Sequence, residues 1–138
     1  MQVDGACHCG RISFTAQIDP ARVVMCHCTD CQVFSSSAFR VGVVAPIEGF
    51  KLQGTPKSYI KTADSGSRRA QNFCGECGTP LFTMAPENAT SVTLRVGSLR
   101  QRAQLEPHAQ IWQRSKVSWL DHLREIPGSP EQQAKPGW

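Results

Sequence analysis

The sequence has no apolar run long enough to cross a bilayer, since the longest, such as residues 41–47, fall well short of roughly 20 residues. Residues 1–5 carry no basic group and lead into no apolar stretch, so no signal peptide is visible. Aromatic residues are only 7%, and the net charge of +4 is small and scattered, which is not typical of nucleic-acid-binding proteins. We therefore expect a cytoplasmic protein with neither membrane nor nucleic acid as a partner, and with a charge that suits an anionic small molecule.

Internal repeats and an inter-domain linker are also missing. A chain of 138 residues suffices for one domain with a core of its own. We expect residues 1–125 to form that domain. Residues 126–138 contain three prolines and two glycines, and are predicted to form a loosely ordered tail.

What the sequence does contain is seven cysteines. Disulfides explain them poorly, because the count is odd, the expected compartment is reducing, and pairs such as Cys7 and Cys9 are badly spaced for a bridge. Thiolates one or two residues apart suit a tetrahedral metal, since one short loop can deliver two sulfurs to one ion. Zinc is favoured, because such sites select zinc or iron–sulfur clusters and the usual cluster spacing is absent. A thiol redox relay is the alternative.

The pairs Cys7/Cys9 and Cys74/Cys77 are each followed directly by a glycine. Gly10 follows Cys9 and Gly78 follows Cys77, and a glycine there permits a left-handed backbone that brings amide N–H groups close to the sulfurs. Such knuckles usually come in twos around one structural ion. The sequence therefore predicts one closed site and one triplet site, with Cys7, Cys9, Cys74 and Cys77 in the first and Cys26, Cys28 and Cys31 in the second.

The triplet leaves zinc with a vacant coordination position. Zinc with three protein ligands accepts water or a substrate, and a thiol bound there would be deprotonated. We therefore expect two zinc ions per chain, with the second more weakly held and catalytic. A histidine as fourth ligand is the alternative: His8 and His27 each lie between two ligands and turn inward with difficulty, whereas His108 and His122 are expected at the surface.

Hydrophobic periodicity predicts short strands over most of the chain. Apolar and polar residues alternate around Phe14, Val43 and Leu94, and residues 58–62 favour β structure. Turn signals rich in glycine and proline separate these segments. Only residues 116–125 show a helical pattern, so a small, mainly β domain is expected.

Three segments carry a resemblance to a known family. Residues 5–10, 26–31 and 73–79 read GACHCG, CHCTDC and FCGECGT, in that order. They resemble the glutathione-dependent formaldehyde-activating enzyme family, whose domain is shared with centromere protein V, and the likeness covers residues 5–123. It implies a β-tent fold of curved antiparallel sheets, stapled by zinc, with at most a short C-terminal helix. It also implies the same division of the cysteines between two zinc ions.

The resemblance further implies a carbon–sulfur lyase of the S-(hydroxymethyl)glutathione synthase type. Glutathione would bind the triplet zinc through its sulfur and be joined to formaldehyde. Its two carboxylates need cationic partners, and Arg40, Arg68 and Arg69 are the candidates because they lie near cysteine segments in sequence. Two alternatives remain: a zinc-stabilised binding module or glutathione carrier without turnover, and a thiol redox protein.

Overall fold

Apolar side chains alternate with polar ones along most of the chain, and these stretches form strands in the computed structural model, which describes residues 1–132. In the strand Ser91–Arg95, for example, Val92 and Leu94 are fully buried whereas Thr93 is partly exposed. The strands are β1 (Gln2–Ala6), β2 (Ser13–Gln17), β3 (Val23–Cys26), β4 (Arg40–Pro46), β5 (Lys51–Gln53), β6 (Lys57–Thr62), β7 (Arg68–Phe73), β8 (Pro80–Met84), β9 (Ser91–Arg95) and β10 (Ala109–Ile111).

The strands form two sheets, neither of them closed. One has three antiparallel strands in the order β1–β2–β5. The other has seven strands in the order β10–β3–β4–β9–β8–β7–β6, and its neighbours are antiparallel except for the parallel pair β10–β3. The prediction of a mainly β domain of antiparallel sheets is therefore confirmed.

The hydrophobic core lies between the two sheets. The ring of Phe14, on the small sheet, is 6.1 Å from that of Phe82 on the large sheet, and Phe50 lies 4.9 Å from Phe82. Val43 and Leu94 are paired across β4 and β9, and both are fully buried in the same core. Each large apolar side chain buried in this way contributes about 1.5–3 kcal/mol. Because strand residues alternate between faces, the opposite face of the large sheet is free to line a site.

One α-helix, α1 (Thr29–Ser35), follows β3 directly. Cys28 is its N-cap, and the Cys28 sulfur accepts the backbone N–H of Cys31 at 3.4 Å. The helix ends at Ser36, which adopts a left-handed conformation with φ of 49°. The sequence analysis did not predict this helix, which adds one short element to the expected architecture.

The helical pattern of residues 116–125 forms a 3-10 helix, Ser118–Glu125, in place of an α-helix. His122 interrupts it with φ of −116° and ψ of 20°. No helix within residues 1–132 is both long and apolar enough to span a bilayer. The other 3-10 helices are Pro20–Arg22, Ile47–Gly49, Val96–Ser98, Arg102–Gln104 and Gln113–Ser115.

The predicted tail, residues 126–138, is only partly described. Residues 126–132 contain no helix or strand. Residues 133–138 lie outside the described part of the chain. The domain boundary at residue 125 and the loose order of the tail stay predictions.

Candidate metal centres

Four cysteines meet where the loop between β1 and β2 approaches the loop between β7 and β8. Their sulfurs all lie within 4.8 Å of one another, and all seven cysteines of the chain are free thiols. The Cys7–Cys9 and Cys9–Cys74 sulfur distances are 3.5 and 3.7 Å. A tetrahedron with metal–sulfur bonds of about 2.3 Å has sulfur–sulfur edges of about 3.8 Å. The donor set therefore fits a tetrahedral metal, and it consists of Cys7, Cys9, Cys74 and Cys77.

Both loops of this cluster have the same backbone geometry. The N–H of Gly10 donates to the carbonyl of Cys7 at 3.0 Å, and that of Gly78 donates to Cys74 at 2.9 Å. The two glycines have φ of 78° and 74°, the left-handed region that the sequence analysis expected there. The Cys7 sulfur accepts the N–H of Ile12 at 3.3 Å. Amide donors of this kind stabilise thiolates and orient them towards a metal.

Thr79 connects the two loops. Its hydroxyl lies 3.2 Å from the Cys77 sulfur and accepts the backbone N–H of His8 at 3.1 Å. Hydrogen bonds from the hydroxyl and the backbone N–H of Thr79 lower the pKa of Cys77 to about 5. These hydrogen bonds favour the thiolate form of Cys77, which is the form that binds a metal.

The other three cysteines meet at the junction of β3 and α1. Cys26 ends the strand, Cys28 caps the helix, and Cys31 lies in the first helical turn, with their sulfurs within 4.8 Å of one another. Burial raises the pKa of Cys31 to about 12, against the opposing effect of the Arg40 charge. A metal cation is the kind of partner that would favour the thiolate at this buried position.

No histidine or carboxylate joins this triplet within residues 1–132. His27 is completely buried; its Nε2 lies 2.8 Å from Oε1 of Gln110, and its ring packs edge-on against Phe39 with centroids 6.0 Å apart. Its Nδ1 has no hydrogen-bond partner among the described residues. His8 is exposed, and so are His108 and His122, as expected for the last two. The described residues therefore offer three candidate ligands at this point and no fourth.

The triplet borders a cavity of 340 Å³. Val44 and Thr93 line its floor, on the opposite face of the large sheet from the buried Val43 and Leu94. Helix α1 contributes one wall. The volume lies within the range of small-molecule sites, about 300–1,000 Å³. The cysteine triplet is therefore open to a small ligand.

Positive charge is concentrated around this cavity. Five cationic side chains line it against a single carboxylate, Asp30, which forms a salt bridge with Lys61. The cavity therefore favours an anionic ligand. The cations are Arg22, Arg40, Lys61, Arg69 and Arg95.

Arg95 was missed by the sequence analysis. It is only 7% exposed, although it ends a strand whose other polar residues are more accessible. Its Nη2 donates to Oε1 of Gln71 at 3.2 Å, and Nη1 of Arg40 donates to the same oxygen at 3.2 Å. Burial, and next the charge of Arg40, lower the pKa of Arg95 to about 9, so the side chain is still cationic at pH 7.

The three predicted substrate-binding arginines lie in different surroundings. Arg40 and Arg69 line the cavity beside the triplet. Arg68 is adjacent to Arg69 in β7, and its Nη1 donates to Oε1 of Glu87 at 3.0 Å. It is not among the residues that line the cavity. The substrate-binding roles of all three stay predictions.

Mild chelation should separate the two metal centres. Three thiolates and an exchangeable ligand are expected to hold an ion less tightly than four thiolates with amide donors. A chelator of moderate affinity should therefore remove about one metal ion per chain while the fold survives. Metal analysis and far-ultraviolet circular dichroism of the same samples measure this. Loss of both ions together, with unfolding, would contradict two distinct sites.

Comparisons with family models and with solved structures both find similar proteins. A family model described as glutathione-dependent formaldehyde-activating enzyme matches residues 2–115. A crystal structure of a Rhodobacter sphaeroides protein, from a structural genomics programme, aligns with a TM-score of 0.59. The identity is 18%, over 78% of this chain and 98% of that one, so the likeness shows the fold alone. No curated protein matches the chain significantly.

Proposed function

The chain belongs to the glutathione-dependent formaldehyde-activating enzyme family, and from that premise we propose that it joins a thiol to a small aldehyde. The family's description names glutathione as the thiol and formaldehyde as the aldehyde. The product would be S-(hydroxymethyl)glutathione, and the reverse reaction is that of a carbon–sulfur lyase. The reaction would take place beside the cysteine triplet.

One observation carries this proposal: three cysteines meet beside a cation-rich cavity, without a fourth protein ligand in residues 1–132. Four protein ligands are typical of structural zinc, whereas three are typical of catalytic zinc. Glutathione has two carboxylates and one amino group, so it is a net anion at pH 7 and suits the charge of the cavity.

Zinc fits both cysteine groups by the chemistry of their donors, because thiolate-rich tetrahedral sites select zinc or iron–sulfur clusters. Zinc bound at the triplet would supply positive charge, which would favour the deprotonated form of an incoming thiol at neutral pH. The structural ion would be held by Cys7, Cys9, Cys74 and Cys77, and the second ion by Cys26, Cys28 and Cys31.

The cavity residues would bind and orient the reactants. Arg40 and Arg69 line the cavity and would hold glutathione carboxylates, which would direct the thiol towards the triplet. The sulfur then adds to the carbonyl carbon: a carbon–sulfur bond forms, the carbon–oxygen π bond breaks, and the oxygen takes a proton from water. The proton released by the thiol replaces the one taken from water, so the protons balance. The addition changes no net oxidation state, so it needs no oxidant or reductant. Positioning of the two reactants supplies most of the acceleration.

Cobalt substitution at the triplet tests this proposal. The visible spectrum of cobalt responds to the number of its sulfur ligands, so glutathione should raise the sulfur-to-cobalt charge-transfer band. S-methylglutathione is the matched control, because it keeps both carboxylates but has no free thiol. It should leave the band unchanged.

If glutathione does not change the cobalt spectrum of the wild-type protein, thiol activation at this centre is ruled out. A zinc-stabilised binding module would then be the better interpretation. A spectral response without acceleration of the thiol–formaldehyde reaction above its spontaneous rate would instead indicate a glutathione carrier.

A further inference from the structure

Two arginines of the cavity meet at a single amide oxygen. Arg95 Nη2 and Arg40 Nη1 both donate to Oε1 of Gln71, each at 3.2 Å. Gln71 is neutral, so it satisfies hydrogen bonds without offsetting either charge. Because Arg95 is only 7% exposed, water does little to screen the repulsion between the two guanidinium groups.

No carboxylate within the described residues forms a salt bridge with either arginine. A buried charge without a counter-charge is costly, and a second like charge beside it adds to that cost. The protein without ligand therefore holds an excess of positive charge at this point. An anion bound from solution would relieve it.

The side chains of this group are held by the large sheet. Arg95 ends β9 and is paired in register with Gly42 of β4, while Gln71 lies on β7. Donors fixed in this way before the ligand arrives lower the ordering cost of binding.

We propose that Arg40, Gln71 and Arg95 form a carboxylate-binding subsite that selects thiols carrying a carboxylate over neutral thiols. The subsite and the cysteine triplet line the same cavity, so a single small molecule can reach both. Arginine binds carboxylates through charge-assisted hydrogen bonds, which are stronger than neutral ones. The inference rests on the proposed function in taking the thiol and the carboxylate to belong to one molecule.

The cysteine triplet is the other source of negative charge near these arginines. In the thiolate form, three cysteines with a divalent ion carry one net negative charge, which is too little to offset two arginines. An incoming thiolate would add a second negative charge, whether or not the ligand has a carboxylate. The experiment must therefore vary the carboxylates while the thiol stays constant.

Calorimetric titration of the zinc-loaded protein makes this comparison. The ligands are glutathione, its diethyl ester, in which both carboxylates are blocked, and S-methylglutathione, in which the thiol is blocked. Wild-type protein should bind glutathione about 10- to 100-fold more tightly than the diethyl ester, the range expected for charge-assisted hydrogen bonds. Arg95→Gln should reduce this preference by about tenfold and leave affinity for the diethyl ester unchanged.

Arg100→Gln is the matched control. It removes the same charge from a side chain that is 79% exposed, pairs with Asp4 and does not line this cavity. It should keep the wild-type preference. Zinc content and thermal melting verify that each variant is folded. Arg40→Gln tests the same subsite from a half-buried position if Arg95→Gln does not fold.

An unchanged preference in folded Arg95→Gln or Arg40→Gln protein would overturn the subsite. If a variant loses zinc but keeps the wild-type preference for glutathione, the subsite would be overturned too. The arginines would then serve to balance the negative charge of the cysteine thiolates.

Binding of S-methylglutathione distinguishes failure of the inference from failure of the proposed function. Suppose that S-methylglutathione binds the wild-type protein but not Arg95→Gln, and that glutathione does not change the cobalt spectrum. The carboxylate subsite is then supported, and thiol activation at the triplet is wrong. If neither Arg95→Gln nor Arg40→Gln changes the affinity for S-methylglutathione, the subsite is wrong, whatever the result with glutathione and its diethyl ester.

Discussion

Cys74→Ser is expected to unfold the domain or to lower its melting temperature by more than about 10 °C. Cys74 is only 1% exposed, and its sulfur lies 3.7 Å from that of Cys9 on the other loop. A metal held by both loops would connect the β1–β2 hairpin to the large sheet. Binding of a structural zinc is worth about 10–16 kcal/mol in small zinc domains, comparable to the whole stability of a typical domain. Thermal melting followed by circular dichroism, together with zinc analysis, measures the effect.

The matched control for this experiment is the same sulfur-to-oxygen change in the other group, Cys28→Ser, which should leave the melting temperature nearly unchanged. A Cys74→Ser protein that melts like the wild type would contradict a structural ion at the four-cysteine cluster. Equal destabilisation by both substitutions would argue against the division of roles between the two groups.

The grouping of the cysteines could be read from the sequence because its signals are local. A knuckle needs two cysteines in a short loop and a glycine that tolerates positive φ, and both requirements are visible within a few residues. Gly10 and Gly78 do adopt that conformation, and the two loops do meet. The strands could also be predicted, since alternation along segments such as β9 reports directly which face is buried.

Helix α1 could not be predicted in the same way. It spans only seven residues, too few for a periodic apolar pattern to be distinct. Its N-cap is Cys28, and a thiol is not among the side chains that usually signal the start of a helix. The same sulfur is thus both a helix cap and a candidate metal ligand, and only the second role was visible in the sequence.

Arg95 was missed because its burial depends on distant parts of the chain. Alternation in β9 assigns it to the polar face, where an arginine is normally solvated. That face is instead the floor of a cavity, bordered by α1 and by β7, whose Gln71 approaches from 24 positions away in sequence. Closeness to cysteines in sequence indicates Arg40, Arg68 and Arg69, but it does not show which face of a strand a side chain occupies.

Cys28→Ser should abolish the proposed reaction and leave the fold intact. Serine is a good N-cap, so its hydroxyl should replace the sulfur in accepting the N–H of Cys31, and α1 should persist. The triplet would lose one of its three thiolates. Loss of a residue that merely supports a metal ligand costs about 10–100-fold in metal affinity or activity, so loss of a ligand should cost more. Metal analysis should find one zinc per chain, and the thiol–formaldehyde reaction should fall to its spontaneous rate.

Cys28→Ala separates the two roles of this side chain. Alanine removes the cap as well as the ligand, so it should lower stability by about 1 kcal/mol relative to Cys28→Ser, with the same loss of reaction. Exchange measured by nuclear magnetic resonance between glutathione and its hydroxymethyl form would follow the reaction in all three proteins. Wild-type acceleration in folded Cys28→Ser protein containing one zinc would place the chemistry away from the triplet. Two tightly held zinc ions in that protein would show that Cys28 is not required as a ligand.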